Sequence, residues 1–211
     1  VQTNAADTFT IGGGTVLSLQ QGNGQDTYTM SGGTLGSLNQ GGDMDTFTMT
    51  GGTITGAFED GDIADFQGGS IGRIDLKLAD NILNISQNLG IETLVVGNVV
   101  SGLGNDTITM TGGTIGGDIS TSSGVDKITL SGGTLKGEIR TGNDDDVFTW
   151  TGGQIGKRVI LENGNDAATV RTLDLGPRRS QGTGLKVPVL SSFGQDGKGN
   201  LYTVSLNGPV S

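Results

Sequence analysis

Aspartate recurs along this chain at Asp7, Asp26, Asp45, Asp62, Asp106, Asp126, Asp146 and Asp166, with Asn81 filling the one gap. The steps are 19, 19 and 17 residues, then 19 to Asn81, 25 to Asp106 and 20 from there on. Carboxylates that recur with the period of a repeat come to lie above one another, and stacked like charges repel unless a cation or N–H donors compensate. Two chemistries fit such a row. One is a line of oxygen ligands for Ca²⁺. The other is a set of Asx-turns, in which each carboxylate caps the N–H groups of its own loop-to-strand corner. The second is the reading taken. Only Gln21–Asp26 and Ser101–Asp106 carry both glycines of an xGxGxD turn, and Asn81 caps well but is a poor calcium ligand alone. No cofactor is therefore expected. Calcium is the alternative, with Asp26, Asp45, Asp106, Asp144 and Asp146 as ligands and the run Asp144–Asp145–Asp146 as the foremost spot.

Catalytic chemistry has little to work with. The chain has no His and no Cys, so the usual neutral-pH base, thiol nucleophiles and thiolate metal sites are absent. Paired carboxylates such as Asp60/Asp62 and Asp144/Asp146 fall in short polar loops and read as solvated turns. The expectation is a protein without catalysis. A net charge of −10 with a pI near 4.2 argues against nucleic acid or anionic lipid as partner. No apolar run reaches the ~18 residues of a membrane-spanning helix.

The elements that position the aspartates come from an internal repeat. Asp26 opens DTYTMSGGTL, Asp45 DTFTMTGGTI, and Asp106 DTITMTGGTI. Two and four residues after each anchor stand apolar side chains, from Phe9/Ile11 to Phe148/Trp150, with an outward Thr usually between them. That is the period-2 alternation of a strand. A Gly pair then marks a corner, a further apolar residue stands nine after the anchor, and another follows at twelve or thirteen. Each repeat thus reads as three short strands, two corners and a polar loop. This predicts an all-β, single-stranded parallel β-helix of about ten coils, each of 19–20 residues, right-handed by the general bias of parallel crossovers. Gly supplies 41 of 211 residues and aromatics only 4%, as suits a thin stacked core.

Two stretches break the pattern. The coil over residues 81–106 lacks the Gly pair. From Arg171 onward the phrase is lost, and Arg171, Arg178, Arg179, Lys186 and Lys198 stand against Asp174 and Asp196. That segment nets +3, leaving −13 on residues 1–170. The domain reading is a β-helix over 1–171 and a terminal coil plus cap over 172–211, with a hairpin around GQDGKGN. The outward Thr row, led by Thr27/Thr29 and Thr46/Thr48, is broken by Ile63/Asp65 and Ile82/Asn84, and again at Lys127, Val147 and Ala167.

GNGQDTYTMSGGTLGSL and GLGNDTITMTGGTIGGDI resemble the passenger repeats of bacterial autotransporters, in particular those of host-associated alphaproteobacteria. The resemblance covers roughly residues 5–170. It implies a right-handed β-helix exported to the cell surface or released, acting as an adhesin or as an effector on host cells, pro-angiogenic receptor activation included. The implied partner is a host-cell surface receptor or matrix protein, and contact is expected at the irregular coil, the Thr face, or the basic residues Arg178, Arg179 and Lys186. QGNGQD and SGLGND are also similar to the calcium turns of RTX adhesins and RTX-like ice-binding repeats, which is the alternative function. A polysaccharide lyase or hydrolase on a β-helix is the remaining one.

Overall fold

The structure, a computed structural model, describes residues 4–170 and the strands Leu190–Gln195 and Leu201–Ser205. The described residues form strands and no helix, and 4–170 wind as a parallel β-solenoid of about eight turns. The sequence reading had about ten. Eight coils, anchored from Asp7 to Asp146, are complete, and a ninth contributes the strand Ala167–Val170.

Three parallel ladders run the length of the rod. In the first, the column two residues past the anchors is continuous in register: Phe9, Tyr28, Phe47, Ala64, Leu83, Ile108, Ile128, Phe148 and Ala168. In the second, Leu35, Ile54, Ile71, Val95, Ile115 and Leu135 stack. In the third, Leu38, Phe58, Ile74, Val99, Ile119 and Ile139 do. These columns, with the one four past the anchors in the first ladder (Met30, Met49, Phe66, Ile85, Met110 and Leu130), make the core, and their residues from Tyr28 to Phe148 are buried. The interior is narrow, so side chains meet mainly their own column neighbours. Phe9, Tyr28 and Phe47 stack at ring separations of 6.0 and 5.6 Å with planes within 7°, and Phe58 closes on Phe47 at 4.2 Å. Such ring pairs add roughly 0.5–1.5 kcal/mol each beyond the burial of their area.

Trp150 departs from expectation. It pairs with Leu130 on one side and Val170 on the other and packs against the core, but it is only half-buried. The strands Leu190–Gln195 and Leu201–Ser205 pair antiparallel, as the hairpin reading expected.

Coils pack backbone against backbone at the corners, and this sets where glycine is required. Gly124 holds φ at 125°, and a Cβ there would run into the carbonyl oxygen of Gly104 in the coil below. Gly124→Ala is expected to cost about 1–3 kcal/mol through backbone strain and steric displacement. Denaturant unfolding checks this, and an unchanged midpoint would contradict the corner geometry.

Candidate functional site

The aspartate row is a buried ladder. Asp26, Asp45, Asp106, Asp126 and Asp146 are essentially inaccessible, and so is Asn81. Each carboxylate accepts a hydrogen bond from the backbone N–H of the anchor one coil earlier. Asp7 donates to Asp26 and Asp26 to Asp45 at 2.7 Å, Asp106 to Asp126 at 2.8 Å, and Asp126 to Asp146 at 2.9 Å. The expected Asx-turn kept the carboxylate within its own corner, and the structure corrects this. Stacking at about 4.8 Å brings the next coil's side chain directly over the anchor N–H. Asn81 donates its backbone N–H to Asp106 Oδ1 at 2.9 Å like the other anchors, and its Nδ2 adds bonds to the same oxygen at 2.9 Å and to the Ala79 carbonyl at 3.0 Å.

One oxygen of each buried aspartate is left without a hydrogen-bond partner: Oδ2 of Asp26, Asp45, Asp106, Asp126 and Asp146. An ionised carboxylate in that position is poorly solvated. Burial pushes Asp45 up to about 7, with the carboxylates of Asp26, Asp62 and Asp43 adding to it and the Asp26 N–H opposing. Burial likewise pushes Asp126 up to about 6, and it raises Asp62 and Asp146. Four rungs of the ladder, Asp45, Asp62, Asp126 and Asp146, therefore hold their protons above the usual carboxylate range.

The five aspartates considered as calcium ligands are not equivalent. Asp26, Asp45, Asp106 and Asp146 are rungs of the ladder. Asp144 is exposed on the loop, with φ at 83°, and accepts from the Gly124 N–H at 3.1 Å. Asp145 accepts from the Asn165 N–H at 2.7 Å. The three consecutive aspartates thus serve three different partners. Arg178, Arg179 and Lys186 lie outside the described residues.

The loop edge carries a feature that the sequence reading missed. Single parallel bridges link successive loops, from Asn23 to Gly42, and again from Leu78 through Leu103, Ser123 and Asn143 to Asn163. The series skips one coil. Between the third strand, ending at Glu59, and the anchor Asp62 stand only Asp60 and Gly61, where the coil below has the five residues 40–44. The missing residues open a notch of about 800 Å³, walled by Asp43 and Met44 on one side and by Lys77, Leu78 and Ala79 on the other. Ile63 and Ile82 line it from the first-strand face, at two positions where coils on either side carry Thr. Four of the five non-glycine residues with positive φ among the described residues belong to it: Asp43, Asp60, Lys77 and Ala79. These are the loop positions at which other coils place glycine with positive φ, among them Gly22, Gly24, Gly104, Gly124 and Gly142. The 17-residue step and the Ile63 and Ile82 interruptions were the sequence signals that could have located it.

The irregular coil is the second departure. Its five-residue excess over a 20-residue repeat lies wholly between Ile85 and Thr93, since Thr93 pairs with Gly69 and Val95 with Ile71 in normal register. The excess leaves the stack at the first corner and exposes Leu89 completely.

No protein-family model, no curated protein and no solved structure matches this chain.

Proposed function

We propose that this chain is a secreted or surface-displayed bacterial passenger, of the autotransporter kind, that binds a host-cell surface protein without catalysis. The observation that carries the reading is the solenoid itself. Residues 4–170 form one continuous parallel stack whose coil-to-coil hydrogen bonds repeat along its length, so its surface is presented with little ordering cost on binding. Loops of about five residues do not build the deep walled groove that a β-helix polysaccharide enzyme uses. The two departures from regularity, the notch and the Leu89 excursion, are where a repeat fold places recognition. The acidic body favours a partner with a basic patch.

Labelled protein added to host cells tests this. Saturable binding that falls with salt, survives a calcium chelator and disappears when surface proteins are shaved by protease is the expected result. Absence of binding, or binding indifferent to shaving, would remove the host-protein reading. Loss of binding together with unfolding in chelator would favour a calcium-dependent repeat. Receptor phosphorylation in endothelial cells would separate an activating effector from an adhesin that only attaches.

A further inference from the structure

We propose that the notch opened by the shortened coil at Asp60–Gly61 is a docking site for a partner segment that carries an apolar side chain beside lysine or arginine. The proposal deepens the host-protein reading and rests on it for the source of the segment, but the chemistry stands on the notch alone.

The first argument is apolar exposure. Leu78 is 65% exposed, Met44 60%, Ile82 42% and Ile63 36%, and all four line the same notch. Leu103, 57% exposed, continues the stripe through its bridge to Leu78. Contiguous exposed apolar side chains around a concavity are uncommon on a soluble surface and mark contact sites. The corresponding outward positions in the coils immediately below and above are Thr46 and Thr107, so Ile63 and Ile82 replace polar residues beside the notch.

The second argument is charge. Asp43, Asp60 and Asp80 line the notch, and Lys77 is the one cation among its lining residues. Lys77 is already engaged, at 3.2 Å with Asp60 and 3.3 Å with Glu59. Asp43 and Asp80 each turn one oxygen away, to the Gly24 N–H of the coil below and the Asn105 N–H of the coil above. A net negative field over an apolar floor complements a side chain of the opposite sign next to a hydrophobic one. The volume accommodates a few side chains of an extended segment rather than a folded surface.

The third argument is construction. The loop beside the notch is three residues shorter than the loop 40–44 of the coil below, so the notch occupies the space that a regular loop would fill.

The test uses three fluorescent hexapeptides read by anisotropy: one with Leu between two Lys, its Glu-flanked counterpart, and its Ser-centred counterpart. The first should bind the wild-type protein at least about tenfold more tightly than either other, with affinity falling as salt rises. Replacing Asp60 and Gly61 by the sequence of Gln40–Met44 should abolish that preference. Should the graft disturb folding, Leu78→Ser and Asp80→Asn supply exposed alternatives, each expected to weaken binding at an unchanged melting temperature. Equal binding of the three peptides, or undiminished binding to the filled or point-substituted notch, overturns the proposal. Sedimentation showing a wild-type dimer that the graft converts to monomer would also overturn it, since the occupant would then be a second copy. Peptide binding without host-cell binding would sink the host-protein reading and leave the notch standing, and the reverse result would do the opposite.

Discussion

Acidifying the protein from pH 8 to pH 5 should raise its thermal unfolding temperature by about 10 °C. The effect comes from the ladder. Asp45 titrates at about 7 and Asp126 at about 6 in the folded chain, against 3.8 for an unperturbed aspartate. A carboxyl with a raised folded value binds its proton more tightly when folded. Its stabilising contribution is complete below the unfolded value and disappears as pH climbs through the folded one. Between pH 5 and pH 8 this spans roughly two pH units for Asp45 and one for Asp126, or about 4 kcal/mol. Asp62 and Asp146, also raised by burial, act in the same direction. Glu138 acts oppositely. Arg158 and Arg140 hold it below its ordinary value, so its contribution is lost as pH falls, which places the optimum in mild acid. Asp126→Asn keeps an oxygen for the Asp106 N–H and brings an amide that can donate to Asp146, as Asn81 donates to Asp106. That variant should be more stable than wild type at pH 8 and show a flatter profile. Calorimetry across the range decides. A melting temperature that falls steadily from pH 8 to pH 5 would mean the ladder carboxyls are stably ionised.

Truncating the aromatic column should be the most damaging single change in the core. Phe47→Ala is expected to cost about 3–5 kcal/mol, the range for a fully buried phenylalanine whose neighbours relax only partly. Phe47 is held between Tyr28 and Phe58, at 5.6 and 4.2 Å, and a thin solenoid has few other side chains to collapse into the void. Trp150→Ala should cost distinctly less, because the indole is only half-buried. Denaturant midpoints of the two variants provide the comparison, and a larger loss for Trp150 would contradict the described packing.

The fold was legible because its information is periodic. The apolar residues at two, four and nine past each anchor are the columns of the core, as Tyr28, Met30 and Leu35 illustrate. Phe58 was not placed, since the second corner of its coil is one residue longer and puts it thirteen past its anchor in a step of only 17. The ladder residues were found but assigned to local corners. A one-dimensional reading brings Asp45 closest to its own loop, whereas stacking brings it closest to Asp26. The notch was hidden for a related reason. It is made by residues that are missing, and its meaning depends on the flanking loops 40–44 and 76–80 being intact. Ile63 and Ile82 read as interruptions of a Thr row until the shortened loop beside them showed what they border.

Recognition at the break in the repeat is the claim on which the functional account turns, and one measurement addresses it most directly. Wild-type protein and the variant with the loop of Gln40–Met44 in place of Asp60–Gly61 would be labelled equally, matched for melting temperature, and titrated side by side onto intact host cells. The account predicts saturable binding by the wild type and at least an about tenfold loss by the filled variant. Equal binding by both would place recognition elsewhere on the rod, and binding by neither would contradict the host-cell function itself.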